Sequence, residues 1–304
     1  MLKLNVNDET SRLRAVVLGT AQSNGPTPGF EEAYDPKSRE HILAGTYPVE
    51  KDMIPEMEAF RAVLERYDVK VFRPEIIENC NQIFSRDIAM VIEDKIIKSN
   101  ILPDREAELE AISYIFEEIE PNKIITPPAA VHIEGGDVML HDGHIFIGTY
   151  SGSDYPKFIT ARTNVSAVDF IRDLFPHRTV KSFDLIKSNT IARDNALHLD
   201  CCFQPVGKNM AIVYRDGFIH ESEYLYLEEL FGKDNLFQIT RNEMYDMFSN
   251  VFSISTEVVV SEKNFTRLNN WLRERGMMVE EIPYAEIAKQ EGLLRCSTMP
   301  LIRD

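Results

Sequence analysis

The chain has 304 residues, 44% of them hydrophobic, and its 49 Asp and Glu outnumber its 33 Lys and Arg to give a formal net charge of -16. That length allows a substantial core in one large or two ordinary domains, and the acidic balance argues against nucleic acid or another polyanion as partner, because phosphate neutralisation needs clustered Lys and Arg. A solvated acidic surface accounts for the charge as readily as a cationic substrate does.

Met1 to Thr10 lacks the continuous apolar segment and small-residue cleavage site of a signal peptide. No run of 18 apolar residues is present to span a membrane. The cysteines Cys80, Cys201, Cys202 and Cys296 form no CxxC pair. The expectation is a reduced, cytoplasmic protein that does not sit in a membrane.

The first apolar run, Arg14-Ala-Val-Val-Leu-Gly19, reads as a strand. Ala21 to Pro48 follows with three glycines and four prolines in 28 residues, a length at which loops act as lids or stay irregular. Met57, Phe60 and Leu64 then mark a helical stripe. Asn81-Gln-Ile-Phe-Ser-Arg-Asp87 leads into two short apolar runs joined by a turn. Asp104 to Glu120 places Leu109, Ile112, Phe116 and Ile119 on one face, which predicts a helix. Glu134-Gly-Gly-Asp137 sets two carboxylates at a glycine turn before the next hairpin. A second loop, Tyr150 to Lys157, precedes a helical stripe at Val165, Val168 and Leu174. His198-Leu-Asp200, read as extended chain, would put imidazole and carboxylate on one face before a third hairpin. Asn250 heads a fourth. Phe265, Leu268 and Leu272 predict a last helix closed by Gly276.

Hairpins thus alternate with helices, with no low-complexity linker between them, which predicts one α/β domain over residues 1–304. Asp87, Asp137, Asp200 and Asn250 each stand at the head of a hairpin, at spacings of 50, 63 and 50 residues. In a radial array such heads can converge on one site. The strand at Arg14 and the segment Leu294-Arg-Cys-Ser-Thr-Met-Pro-Leu-Ile302 could form a fifth unit from both ends of the chain and close a ring. An open mixed sheet is the alternative. Cys201 and Cys202 read as buried apolar residues. His132, His141 and His144 cluster without a cysteine pair, so no metal site is expected.

The set Phe84-Ser-Arg-Asp87, Glu134-Gly-Gly-Asp137, Ala161-Arg-Thr-Asn164, His198-Leu-Asp200 and Arg295-Cys-Ser-Thr-Met-Pro-Leu-Ile-Arg303, in this order, resembles the guanidino-group modifying superfamily. That superfamily contains arginine deiminases, amidinotransferases and dimethylarginine dimethylaminohydrolases. The resemblance implies a five-unit α/β propeller, or pentein, with pseudo-fivefold symmetry, closed by the N- and C-terminal strands. It implies Cys296 as nucleophile, His198 as general acid and base, and Glu134 as support for the histidine or holder of a substrate nitrogen. Asp87 and Asp200 would clamp the guanidinium, with Asn81 and Asp137 also on the substrate-binding side. Arg105 and Arg162 match positions that hold a substrate α-carboxylate. An arginine that deiminases place shortly before the cysteine is replaced here near Glu291, which speaks against free arginine.

The implied reaction is hydrolysis of the guanidinium of arginine or a derivative through a covalent thiouronium, with no cofactor, giving ammonia and a ureido product. The segment around Cys296 is similar to that of the deiminases. The alternatives are transfer of the amidino group to an amine, dimethylarginine hydrolysis, and a propeller that only binds a macromolecule. A homo-oligomer stays open. The chemistry suits the residue types, since a planar guanidinium meets flanking carboxylates through its fork of N–H donors and leaves its face open to a thiolate. Carboxylates beside Cys296 should disfavour that thiolate and a protonated His198 should favour it, so the thiol is expected to ionise mainly when the substrate cation is bound.

Overall fold

In the computed structural model, which describes residues 1–304, the apolar runs fold as hairpins in five three-stranded sheets. The strands are β1 (Leu13–Leu18), β2 (Lys70–Phe72), β3 (Ala89–Ile92), β4 (Lys95–Lys98), β5 (Ile124–Ile125), β6 (Val138–His141), β7 (His144–Thr149) and β8 (Thr179–Asp184). They continue as β9 (Phe203–Val206), β10 (Met210–Val213), β11 (Leu236–Gln238), β12 (Phe252–Ser253), β13 (Val258–Glu262), β14 (Met278–Ile282) and β15 (Thr298–Arg303). Each sheet repeats one plan: an antiparallel hairpin, then a third strand parallel to the second. A parallel strand cannot follow a tight turn, so a helical crossover lies in each gap, such as Val165–Leu174 between β7 and β8. The β6–β7 turn shows the local chemistry. Asp142 and Gly143 both take positive φ, +42° and +75°, the mirror-image turn that matches strand twist.

One sheet is assembled from both ends of the sequence. β15 pairs antiparallel with β1, Leu18 opposite Thr298 and Val16 opposite Pro300, and β2 runs parallel on the far side of β1. With β15 read first, the order is that of the other four sheets.

Two of the helical stripes bury the residues their periodicity selects, whereas in Val165–Leu174, Val168 is buried but Val165 is exposed. In the helix Glu50–Arg66, Met57, Phe60 and Leu64 are buried, and the Phe60 ring meets Phe252 and Tyr284 edge-on at 5.7 and 5.8 Å. Burial of one such side chain contributes roughly 1.5–3 kcal/mol. Helix Thr266–Glu274 buries Leu268 and Leu272 and ends at Gly276, whose φ of +79° suits a residue without Cβ.

Two local expectations fail for tertiary reasons. The stretch 104–120 is not one helix but the pieces Glu106–Glu110 and Ser113–Glu117. The break falls at Ala111, whose carbonyl accepts from the Glu75 amide at 2.8 Å instead of continuing the helical ladder. His198-Leu-Asp200 is not extended either, since Leu199–Cys201 makes a 3-10 turn. The Asp137 carboxylate accepts from the Leu199 amide at 2.9 Å and fixes that turn. The segment Ala21 to Pro48 is partly ordered into helix Pro36–Leu43, capped by Asp35, which accepts from the Ser38 amide at 2.7 Å. No helix is long and apolar enough to cross a membrane.

The pairing of β1 with β15 can be tested directly. Deleting Thr298 to Asp304 removes β15 and the buried Arg303 guanidinium, which donates to the Ser11 and Ser253 carbonyls. Loss of cooperative thermal unfolding is expected. A truncated chain that melts like the full one would refute the structural importance of this sheet.

Candidate active site

A short turn precedes the first strand of every sheet, and these turns meet. Asp87 lies in the helical turn Ser85–Ile88, Asp137 ends the turn Gly135–Asp137, and Asp200 occupies the turn Leu199–Cys201. Asn250 and Cys296 sit in the turns before β12 and β15. Cys296 is therefore the fifth head of the series. The signal was present in the sequence, because Cys296 follows Asn250 by 46 residues, close to the other spacings.

The heads touch one another. The Asn250 side chain grips Cys296 twice: its Nδ2 donates to Sγ at 3.2 Å and its Oδ1 accepts from the Cys296 amide at 3.1 Å. Sγ lies 3.5 Å from Asp200 Oδ2. His198 Nε2 pairs with Glu134 Oε2 at 2.8 Å, and Nδ1 stands 3.7 Å from Asp87 Oδ1. Gly136 makes this approach feasible. A Cβ there would fall 2.6 Å from His198 Nδ1 and 3.0 Å from Asp87 Oδ1.

Asp87, His198 and Cys296 all line one cavity of about 690 Å³, together with Asn81, Arg105 and Arg162. Much of the remaining wall comes from the 21–48 segment, through residues such as Asn24, Tyr34 and Tyr47. Tyr150 to Lys157, the other loop long enough to serve as a lid, contributes no wall. Asp87 Oδ2 accepts from Arg105 at 3.0 Å, and its Oδ1 is buried without a hydrogen-bond partner.

Three of the residues expected at the substrate lie behind the wall. Glu134 is buried under His198 and bound by Arg162 at 3.3 Å. Asp137 caps the 199–201 turn and does not line the cavity. Asp200 is also outside the lining; its Oδ2 faces both the thiol and the Arg295 guanidinium at 2.9 Å. Arg105 and Arg162 do line the cavity but are engaged. Arg105 grips Glu108 with two donors, at 2.7 and 3.0 Å, besides Asp87. Arg162 serves Glu134 and the carbonyls of Ile159 and Tyr34. Asn81 donates to Gln290 at 2.6 Å.

Sequence reasoning missed Glu9. This fully buried carboxylate binds Arg295 through both oxygens, at 3.1 and 3.3 Å. Nothing local marks it, since Asn-Asp-Glu-Thr reads as a solvated turn.

Burial and charge set the protonation states. Burial pushes the Cys296 thiol well up, and Asp200 and Asp87 add to the rise. Burial works against a charged His198, yet Asp87, Asp137 and the hydrogen bond it donates to Glu134 raise it to about 9. Burial likewise opposes the Glu134 carboxylate, but Arg162 and His198 hold it at about 2. At neutral pH His198 is therefore an imidazolium paired with the Glu134 carboxylate, beside a protonated thiol. The donor atoms of Asp87, Glu134 and His198 lie within 4.8 Å of one another, close enough to hold a metal ion. Glu134 and His198 are already paired and Arg105 and Arg162 serve the two acids, which suits a hydrogen-bonding cation better.

Comparison with known proteins places the chain. The family described as N,N dimethylarginine dimethylhydrolase, eukaryotic, matches residues 46–303. The uncharacterized protein YkgA of Bacillus subtilis strain 168 is 29% identical over 223 residues, 73% of this chain and 70% of its own. An arginine deiminase of Pediococcus pentosaceus is 27% identical over 208 residues, 57% of this chain and 48% of the deiminase. Among solved structures, the N-terminal domain of ArgZ, an arginine dihydrolase from the ornithine-ammonia cycle in cyanobacteria, superposes with a TM-score of 0.77 at 16% identity, covering 95% of this chain and 97% of that one. The inosamine-phosphate amidinotransferase StrB1 of Streptomyces griseus gives 0.74 at 14% identity, covering 100% and 97%. At such identities the structural likeness is one of fold.

The His198–Glu134 pair predicts a pH signature. Glu134, depressed to about 2, contributes stability that is full above about 4.5 and lost as pH falls; His198, raised to about 9, contributes stability that is full below about 6.5 and lost as pH rises through 9. The pair is therefore fully effective between those limits. An NMR titration should find the His198 midpoint near 9 and move it toward neutrality in Glu134→Gln. A midpoint already near 6.5 in the unmodified protein would refute the assigned electrostatics.

Proposed function

The chain belongs to the dimethylarginine dimethylhydrolase family of the guanidino-group modifying pentein superfamily, and on that premise we propose that it is a cysteine-dependent hydrolase acting on the guanidinium of arginine or an arginine derivative. The observation that carries the reading is the meeting of Cys296, His198 and Asp87 on one cavity, with an unpartnered carboxylate oxygen of Asp87 there. A buried acceptor without a donor is costly, and a guanidinium supplies donors and opposite charge together. The same reading takes residues 1–304 as one catalytic domain whose five sheets ring a common axis, with the β15–β1 pairing in support.

In the proposed reaction the guanidinium enters with its edge toward Asp87 and its face toward Sγ. Attack requires its central carbon to come within about 3–3.5 Å of the sulfur. Asp200 Oδ2, 3.5 Å from Sγ but bound to Arg295 behind the wall, does not touch the cation and acts on it only through its charge beside the thiol. The arriving positive charge offsets the two carboxylates that hold the thiol proton on. As the cation arrives the thiol gives up its proton to solvent; the thiolate bonds to the carbon, His198 gives its proton to the departing nitrogen, and ammonia leaves a thiouronium on Cys296. Neutral His198 then takes a proton from water as the oxygen attacks the same carbon. The carbon–sulfur bond breaks as the added hydroxyl loses its proton, releasing the ureido product and returning Cys296 to its thiol. Glu134 and Asp137 support the imidazolium state from behind, and Asn250 orients the thiol.

The likeness of Arg295-Cys-Ser-Thr-Met-Pro-Leu301 to the deiminases favours water as acceptor and ammonia as leaving group. The family description favours a second reading of the same site, in which an alkylated amine departs from dimethylarginine.

Rapid acid quench and mass spectrometry should show an amidino adduct on the peptide carrying Cys296, and the adduct should persist longer in His198→Ala. Ureido product should appear without any added amine. Turnover that depends on an acceptor amine would transfer the assignment to the amidinotransferases, and no adduct with any guanidine would remove the catalytic reading. Asp87→Asn should weaken guanidine binding at least tenfold, since a charge-assisted hydrogen bond contributes about 1.5–3 kcal/mol. Unchanged affinity in that variant would exclude the clamp.

A further inference from the structure

The cavity wall is acidic beyond the reacting groups: Glu31, Glu32, Asp35, Asp104 and Glu291 all line it. The only Lys or Arg side chains on the wall, Arg105 and Arg162, are committed to Glu108, Asp87 and Glu134 as described. Two of the acids form a buried pair: Asp35 and Glu291 stand with their carboxyl groups within hydrogen-bonding reach of each other, and neither is more than 8% exposed. Each is held in place by the fold. Asp35 caps helix Pro36–Leu43, and Glu291, at a left-handed φ of +57°, accepts from Asn195 at 2.7 Å. Lys37 is a buried cation close enough for its charge to act on Glu291; its ammonium donates to the Tyr245 carbonyl at 2.5 Å and its backbone amide to Glu291 at 3.4 Å, but it does not line the cavity.

A separate observation points to what meets this wall. Asn24 lines the same cavity, is 8% exposed, and its Oδ1 is buried with no hydrogen-bond partner. The two unpartnered buried side-chain atoms on the wall, Asn24 Oδ1 and Asp87 Oδ1, are thus both acceptors. A cavity whose unsatisfied groups accept and whose uncommitted charges are negative calls for an occupant rich in N–H donors at both ends. A carboxylate would meet like charge and no uncommitted cation.

Resting on the guanidine reading above, we propose that the substrate is a guanidine with a second, amine-type cation at its far end and no carboxylate there, selected by the Asp35–Glu291 pair with Asn24. Burial and the adjoining Asp35 raise Glu291 well above the usual carboxylate range, and an ammonium placed between the two carboxyl groups would offset that burial and repulsion.

The test uses four guanidines of similar length: agmatine, with an amine after four carbons; butylguanidine, with no terminal charge; 4-guanidinobutanoate, whose fourth carbon is a carboxylate; and arginine, with both an amine and a carboxylate. Calorimetric binding to the full chain carrying Cys296→Ser avoids turnover. Agmatine should bind at least tenfold tighter than butylguanidine, and 4-guanidinobutanoate at least tenfold weaker. In Asp35→Asn/Glu291→Gln, which keeps the helix cap and the bond from Asn195, the agmatine advantage should fall to threefold or less. An unchanged melting temperature would show that this loss reflects charge and not unfolding. Tighter binding of 4-guanidinobutanoate or arginine than of agmatine, with Cys296 still labelled by guanidines in the unmodified enzyme, would overturn this inference alone. An advantage that survives the double substitution would overturn the role of the pair. No binding of any probe would remove the inference together with the reading it rests on.

Discussion

The position of the Cys296 thiol depends on one buried cation. Arg295 has no exposed surface, and its guanidinium donates to Glu9, Asp200 and the carbonyls of Gly135, Gly136 and Val138. It therefore ties the N-terminal segment and two different hairpin heads to the residue next to Cys296. A buried charge is tolerated only when paired and fully hydrogen-bonded. Removing Glu9 or Asp200 would leave an uncompensated cation, a loss on the order of 3–5 kcal/mol. Lysine could not replace it, having one point charge where five fixed donors reach five groups. The ionisation state follows the same logic. Burial resists the Glu9 charge, yet Arg295 and Arg86 hold it at about 2.

The hub also explains why the thiol is quiet in the empty site. Asp200 Oδ2 accepts from Arg295 at 2.9 Å, and the same oxygen lies 3.5 Å from Sγ. The fold thus ties the placement of Cys296 to a neighbour that suppresses its thiolate. His198 gives limited relief, because Glu134 and Asp87 already claim its charge. What is missing is a cation in front of the sulfur, and the substrate class proposed above brings one. Such a site leaves the nucleophile protected from casual oxidation or alkylation until the reacting partner arrives.

How far the sequence could be read depended on how local each cause was. Hairpins were legible because their apolar runs are bounded by polar heads and by turns such as Asp142-Gly143. The helix stripes at Met57 and Phe265 were legible through periodicity alone. The stretch 104–120 misled because one hydrogen bond from Glu75 breaks a pattern that is locally intact. His198-Leu-Asp200 misled because its turn is fixed by Asp137, from another hairpin. Glu9 was invisible, since its partner lies at the opposite end of the chain and its neighbours look solvated. Asp35 and Glu291 are a similar case: each seems an ordinary surface acid until the fold buries them together.

Reaction and selectivity accordingly have separate structural sources. The reacting groups sit on turns anchored to sheets and cross-linked by buried charges, so a small shift in one would disturb several others. Much of the cavity wall comes instead from the 21–48 segment, with Gln290, Glu291 and Gly292. The segment is not free to drift, because Asp35 must serve at once as a helix cap and as a partner of Glu291. A change of substrate at this fold therefore calls for few substitutions at that wall and none at the heads. It also means that likeness around the thiol carries information about the chemistry at the guanidinium and very little about what the rest of the substrate carries.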